Sequence, residues 1–81
     1  MSFFTYVLFS PKYNRYYKGH CENLDLRITQ HNSGKTKSTK PYLPWLIKYY
    51  ETYETREDAI KREKYFKTAA GRKFLKTKLK T

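Results

Sequence analysis

The stretch YVLFSPKYNRYYKGHCENLDLRITQH, Tyr6 to His31, decides the fold. The run Phe3 to Ser10 that contains its start is aromatic and β-branched, as strands are. Its apolar character is nearly continuous, which predicts a central strand covered on both faces. Pro11, Lys12, Tyr13 and Asn14 form a turn, because proline presets φ and asparagine tolerates the left-handed region. Arg15 to Lys18 return as a second strand, and Gly19 ends it, at a point of unusual φ or close backbone approach. This hairpin brings Tyr6 and Tyr17 near one another on paired antiparallel strands. Core packing is the ordinary role of a tyrosine in such a hairpin.

Asn23 is a good N-cap before Leu24, and the helix it starts runs to about Asn32, where Gly34 supplies a left-handed stop. Leu24, Arg27, Ile28 and His31 fall on one stripe at i, i+3, i+4 and i+7. Leu24 and Ile28 must face the sheet, so Arg27 and His31 lean toward it as well. A buried unpaired cation is costly. Arg27 therefore either snorkels at the edge of the stripe or meets an anion, a carboxylate of the protein or a phosphate from outside.

Ser33 to Pro44 reads as a loop. Lys35, Lys37 and Lys40 alternate there with Ser33, Thr36, Ser38 and Thr39, a mixture suited to phosphate-backbone contacts. Trp45 to Tyr53 is the third strand. Simple alternation puts Ile47, Tyr49 and Tyr53 on one face and Leu46, Lys48 and Tyr50 on the other, with Trp45 in the core. Thr55 and Asp58 open a helix expected to run from Arg56 to about Ala70 and to stop at Gly71. A last helix, Arg72 to Lys80, turns Phe74, Leu75 and Leu79 inward. In the longer helix Ala59, Glu63, Phe66 and Ala70 share a stripe. Glu63 is thus the lone carboxylate on the inward face of an otherwise basic helix. Two roles are open to it: ion-pair partner of Arg27 or Arg62, or ligand of a hard cation such as Mg²⁺, which takes one or two carboxylates and completes its shell with water and phosphate.

Composition narrows the partners. The formal net charge is +11 on 81 residues, which points to a polyanion, nucleic acid first and a membrane surface second. Nine tyrosines, five phenylalanines and one tryptophan give so short a chain the apolar area its core needs. The length predicts one domain over residues 1–81. The single cysteine, Cys21, makes neither an internal disulfide nor a multi-cysteine zinc site, which suggests a reducing, cytoplasmic setting. No signal peptide and no membrane span are expected. Nearby cations favour the ionised form of a tyrosine, so Tyr6 or Tyr17 could act as a general base in phosphodiester hydrolysis, with Arg27 neutralising phosphoryl oxygens and His31 orienting a tyrosine or a water.

Thr5-Tyr6-Val7 and Tyr17-Lys18-Gly19, followed by Arg27, His31, Pro44-Trp45 and the run Ala59-Ile60-Lys61-Arg62-Glu63-Lys64-Tyr65-Phe66-Lys67, closely resemble the GIY-YIG nuclease family, and most of all its small members. The resemblance covers Phe3 to about Leu79. It implies an α+β fold, a small three-stranded antiparallel sheet flanked by helices in the order β-β-α-β-α-α. It also implies divalent-metal-dependent endonuclease cleavage of DNA with Mg²⁺ or Mn²⁺, structure-selective or weakly sequence-selective, in DNA repair or recombination, with RNA as a further possible substrate. The matching site residues are Tyr6, Tyr17, Arg27, His31 and the metal-binding Glu63, with Tyr6 placed ahead of Tyr17 as the base. Lys18, Lys35, Lys37, Lys40 and Lys67 are the expected nucleic-acid contacts. Thr5 and Lys18 replace a motif glycine and isoleucine, and no asparagine follows Glu63. The alternative is a basic DNA- or RNA-binding module of the same fold with weak or lost turnover.

Overall fold

The computed structural model describes residues 2–79. Strands β1 (Phe3–Ser10), β2 (Arg15–Cys21) and β3 (Leu46–Tyr53) form an antiparallel sheet in the order β2-β1-β3. Three helices follow the strands as expected: α1 (Leu24–Asn32) between β2 and β3, then α2 (Arg56–Phe66) and α3 (Ala69–Lys78). Thr5, Tyr6, Val7 and Leu8 are all buried, so β1 is the covered central strand its composition predicts.

Alternation along β1 divides the interior into two cores. Tyr6 and Leu8 pack with Cys21 and Trp45 on one face, where α1 contributes Leu24 and Ile28. Val7 points to the other face and packs with Phe66 of α2 and Leu75 of α3. Thr5 shares that second face. Its buried hydroxyl donates to the carbonyl of Ala59 at 2.8 Å, and Ala59 itself is fully buried, so α2 lies close against the sheet. The threonine that stands where the family motif has glycine is therefore the polar pin between β1 and α2.

Local signals place the caps. The Asn23 side chain accepts from Leu26 N–H, that of Thr55 from Asp58 N–H, and that of Thr68 from Gly71 N–H. Asn14 and Gly34 take the positive φ values, 52° and 77°, that the turn and the helix stop require.

Four expectations are corrected. First, β2 does not end at Gly19 but continues to Cys21, with Gly19 paired opposite Tyr6 at an ordinary backbone angle. Second, Ile47 and Tyr49 do not share a face. Leu8 pairs with Ile47 and Val7 with Tyr49, so Lys48 is an extra, bulged residue that shifts the alternation by one. Ile47 joins the Tyr6 face and Tyr49 the Phe66 face. Third, Gly71 does not stop the longer helix. The break comes earlier, at Lys67 and Thr68, and Gly71 and Ala70 both lie in the first turn of α3. Fourth, the segment after α1 is not wholly irregular, since Lys40–Tyr42 form one 3-10 turn. Lys80, the expected end of the last helix, lies outside the described residues.

Gly71 is where α3 crosses the end of α2. A β-carbon there would stand 1.8 Å from the carbonyl oxygen of Tyr65 and 2.6 Å from its carbonyl carbon. These are backbone atoms, so the helices must move apart to admit it. Helix propensity alone makes Gly→Ala stabilising by about 1 kcal/mol. The crossing predicts the opposite sign for Gly71→Ala, a loss of about 1–3 kcal/mol, read as a melting temperature lower by about 4–8 °C per kcal/mol. A variant that melts higher than the parent would rule out the tight crossing.

Candidate active site

The site is built around a ring that lies across a strand. Gly19 of β2 pairs with Tyr6 of β1, and a β-carbon on Gly19 would stand 2.5 Å from the Tyr6 hydroxyl oxygen. Only glycine leaves room for the phenol to reach over the edge strand.

There the Tyr6 hydroxyl lies 3.1 Å from His31 Nε2. His31 Nδ1 lies 2.9 Å from Thr39 Oγ1, and that hydroxyl donates to the carbonyl of Thr36 at 3.3 Å. A hydroxyl has one proton, and Thr39 can give its own to the Thr36 carbonyl or to His31 Nδ1, so the tautomer follows that choice. With the Thr36 carbonyl as acceptor, His31 Nδ1–H donates to Thr39 and the bare Nε2 accepts from the Tyr6 O–H. Both electrostatic shifts agree with this chain. Burial pushes the Tyr6 phenol far above its ordinary value; Tyr17 adds to the rise and Arg27 only partly offsets it. Burial, then the charge of Arg27, pushes His31 below its ordinary 6.5. Tyr6 is thus protonated and His31 neutral.

Thr39 is a correction. The sequence sets it among hydroxyls free to meet phosphate. It is instead fully buried, bonded to His31 by its side chain, and its carbonyl accepts from Trp45 Nε1–H at 2.9 Å.

Tyr17 lies two positions before Gly19 on the same face of β2. Its ring centroid is 5.0 Å from that of His31 and 6.4 Å from that of Tyr6. It is half-buried, whereas Tyr6, the tyrosine placed first by the sequence, is 2% exposed. Arg27 is half-buried on α1 and makes no ion pair among the described residues, yet its charge acts on Tyr6, Cys21 and His31 together.

Glu63 reaches the same strand from the other side. His20, next after Gly19, faces α2, and its Nδ1 lies 2.6 Å from Glu63 Oε1, while Lys67 Nζ donates to Oε2 at 2.8 Å. Burial favours the neutral carboxyl, but the hydrogen bonds from Lys67 and His20 outweigh it and hold Glu63 below the ordinary carboxylate range. Glu63 also contributes to the rise of Tyr6, so the two halves of the site sense each other across the β2 edge. Neither proposed ion-pair partner of Glu63 is its partner here. Arg62, one residue earlier, forms a two-pronged pair with Glu51, at 2.7 Å and 3.2 Å. His20 and Glu51 were not singled out in the sequence. Their only signals were alternation, which sets His20 opposite Gly19 and toward α2, and the central position of Glu51 between Tyr49 and Tyr53.

The cations fall in two groups. Lys35, Lys37 and Lys40 are exposed along the segment between α1 and β3. Lys18 and Lys67 gather with Arg72 on the α2 face, where burial and then the charges of Arg72 and Lys67 lower the Lys18 pKa.

No cluster of three or more His, Cys, Asp or Glu side chains exists among the described residues. Glu63 still fits a hard cation in one respect. It is an ionised oxygen donor with two of its roughly four lone-pair sites already engaged, which leaves capacity for a metal whose other ligands are water and phosphate. No described helix is long and apolar enough to cross a membrane.

A family model described as the GIY-YIG catalytic domain matches residues 2–77. A UPF0213 protein of Bacillus cereus is 43% identical over 53 residues, which cover 64% of this chain and 55% of that protein. The chain thus spans about half the length of that relative. A UPF0213 protein of Staphylococcus epidermidis is 39% identical over 61 residues, 74% of each chain. The solution NMR structure of a UPF0213 protein from Bacillus halodurans superposes with a TM-score of 0.55 at 28% identity, covering 99% of this chain and 86% of that one. The order of strands and helices, the Tyr6–Gly19 crossing and the match over residues 2–77 lead to one conclusion: this chain belongs to the GIY-YIG family.

Proposed function

We propose that this chain is a divalent-metal-dependent endonuclease that hydrolyses phosphodiester bonds in DNA. The observation that carries the reading is the convergence at one strand edge. Tyr17, Arg27 and the Tyr6–His31 pair come from one face of the sheet, and the ionised carboxylate of Glu63 comes from the other.

Hydrolysis at phosphorus needs a base for the attacking water, positive charge at the phosphoryl oxygens and help for the leaving oxygen. Tyr17 is the base in this reading. A base must be able to meet the incoming water and to give up its own proton first. Tyr6 is buried and its hydroxyl is engaged by His31. It therefore positions: its hydroxyl fixes the imidazole against which the Tyr17 ring packs. Arg27 neutralises the phosphoryl oxygens, and its planar fork can bind two of them. Glu63 would hold Mg²⁺ or Mn²⁺, oriented by His20 and Lys67. When bound there, the metal polarises the phosphate and stabilises the charge of the leaving oxygen. The exposed Lys35, Lys37 and Lys40 on one side, and Lys18, Lys67 and Arg72 on the other, steer the backbone of the substrate toward the edge. Incubation of the purified protein with plasmid, branched DNA and single strands, with Mg²⁺ or with chelator, tests the reading. Binding without cleavage of any of them would favour the binding module instead.

Tyr17→Phe should abolish single-turnover cleavage while leaving the melting temperature nearly unchanged. Tyr6→Phe should keep part of the activity but melt lower, because a buried His31 nitrogen loses its donor at a cost of about 1–3 kcal/mol. The reverse pattern would return the base to Tyr6.

Glu63→Gln should lose metal-dependent cleavage by orders of magnitude. Its partners are an exposed lysine and a partly exposed histidine, so the stability lost is about 1 kcal/mol at most. A large fall in melting temperature with retained metal-dependent activity would make Glu63 a structural counter-ion.

The neutral state of His31 fixes a pH dependence. Its folded pKa is depressed, so below 6.5 the unfolded chain takes up a proton that the native site resists. Stability is therefore full above pH 6.5 and is lost as pH falls through the lowered native value. Thermal melts between pH 7.5 and about 5.5 should show a falling melting temperature, and His31→Gln should flatten that window. A melting temperature that rises as pH falls would mean that native His31 is charged.

A further inference from the structure

The turn between β1 and β2 presents one aromatic ring that the core does not use, and beside it lies Tyr42, which packs on the core from the segment after α1. Tyr13 is 44% exposed, and its ring meets Tyr42 edge-on at 5.6 Å. The guanidinium of Arg15 lies over the Tyr42 ring at 4.4 Å, and the ammonium of Lys12 is 5.6 Å from the Tyr13 ring. Neither Lys12 nor Arg15 has an ion-pair partner among the described residues. Arg56 pairs with Glu22 and Arg62 with Glu51, whereas Lys12 and Arg15 rest on rings with their charge open to an incoming anion.

The register locates this surface. Arg15 and Tyr17 are two residues apart on β2, so they share a face and stand about 6.5 Å apart along the strand. Tyr42 is tied to that face by the Ser10 hydroxyl, which donates to its carbonyl at 2.6 Å. From Tyr42 the rings continue through Trp45 at 6.4 Å to Tyr17 at a further 6.3 Å. Arg15 is therefore about one nucleotide's reach from the candidate base, and the Tyr42 ring that it covers joins Tyr13 to the same side of the sheet.

Phosphates alone would require only the cations. An exposed tyrosine face adds something that a continuous duplex cannot use, because its bases are stacked on one another. An unpaired base can stack there, and such stacking tolerates any sequence. We propose that Tyr13, Arg15 and Tyr42 form a stacking site for an unpaired nucleotide next to the scissile phosphate, so that the chain prefers DNA with a single-stranded segment beside the cut. The position of the cut rests on the nuclease reading; the binding surface does not.

Tyr16 provides the control. It is 41% exposed, almost as open as Tyr13, but it pairs with Phe9 and its ring packs on Phe9 at 4.9 Å, on the opposite face. Fluorescence anisotropy in chelator compares a labelled oligothymidine of roughly 20 nucleotides, long enough for one binding site, with a duplex of equal length. Tyr13→Ala should weaken oligothymidine binding about tenfold and duplex binding less than about twofold, with Tyr13→Phe close to the parent. Tyr16→Ala should leave both within about twofold, and melting curves check that each variant is folded. An unchanged Tyr13→Ala, equal losses on both probes, or a Tyr16→Ala loss as large as that of Tyr13→Ala would overturn the site. Cleavage separates it from the nuclease reading. Tyr13-dependent single-strand binding with no DNA cut under any condition keeps the stacking site and removes the nuclease. Equal cutting of single strand and duplex, unaltered by Tyr13→Ala, does the reverse.

Discussion

The missing side chain of Gly19 is the constraint on which the site depends. A β-carbon there would overlap the Tyr6 hydroxyl, and without that hydroxyl His31 would be a buried imidazole with an unpaired nitrogen. The chain of donors from Tyr6 through His31 and Thr39 to the Thr36 carbonyl then ties β1, α1 and the segment after it into one unit. Each such bond contributes about 1 kcal/mol net, but leaving one buried partner unpaired costs more than the bond is worth. The whole chain is therefore kept or lost together. The segment that carries Lys35, Lys37 and Lys40 is anchored at its buried end by Thr39, so the exposed cations are held at a fixed place beside the site.

The same crossing gives the two tyrosines different surroundings. Two tyrosines of equal intrinsic acidity meet one imidazole, but the fold treats them differently. Tyr6 is enclosed and its hydroxyl is held by His31. Tyr17 contacts the imidazole by its ring and stays open to solvent on one side.

The sequence made the elements legible because the signals were local. Asn23, Thr55, Asn14 and Gly34 act on backbone within a few residues of themselves, and each does what its chemistry implies. The stripe of Leu24, Arg27, Ile28 and His31 led correctly to a cation and an imidazole beside the Tyr6 face. What was not legible depended on partners distant in sequence. The bulge at Lys48 arises from the pairing of β3 with β1, and no property of Leu46 to Tyr53 alone announces it. Gly71 reads as a helix stop by type, yet it is a helix-crossing residue because Tyr65 lies beneath it. Thr39 resembles its neighbours Ser38 and Thr36 and differs only in what has folded over it. His20 became visible only when α2 was set against β2.

Glu51 and Glu63 differ in how fully the fold satisfies them, which is why the proposed ligand is Glu63. Both are partly buried and both are held ionised against the cost of burial. Glu51 takes four hydrogen bonds, from Tyr49, Tyr53 and the two prongs of Arg62, and these use all of its roughly four lone-pair sites. Arg62 in turn is stacked near Tyr65, Phe66 and Phe74, so the cluster joins the sheet to α2 and α3 with no capacity left for a ligand. Glu63 takes two bonds, and one of them comes from a lysine with most of its length in solvent. A half-satisfied carboxylate is a poor structural element but a good ligand, because a phosphate-bound cation adds to its contacts rather than replacing them. Arg62 and Glu63 are adjacent on α2 and stand at opposite ends of this contrast: the first is fully used by the fold, and the second keeps spare hydrogen-bonding capacity.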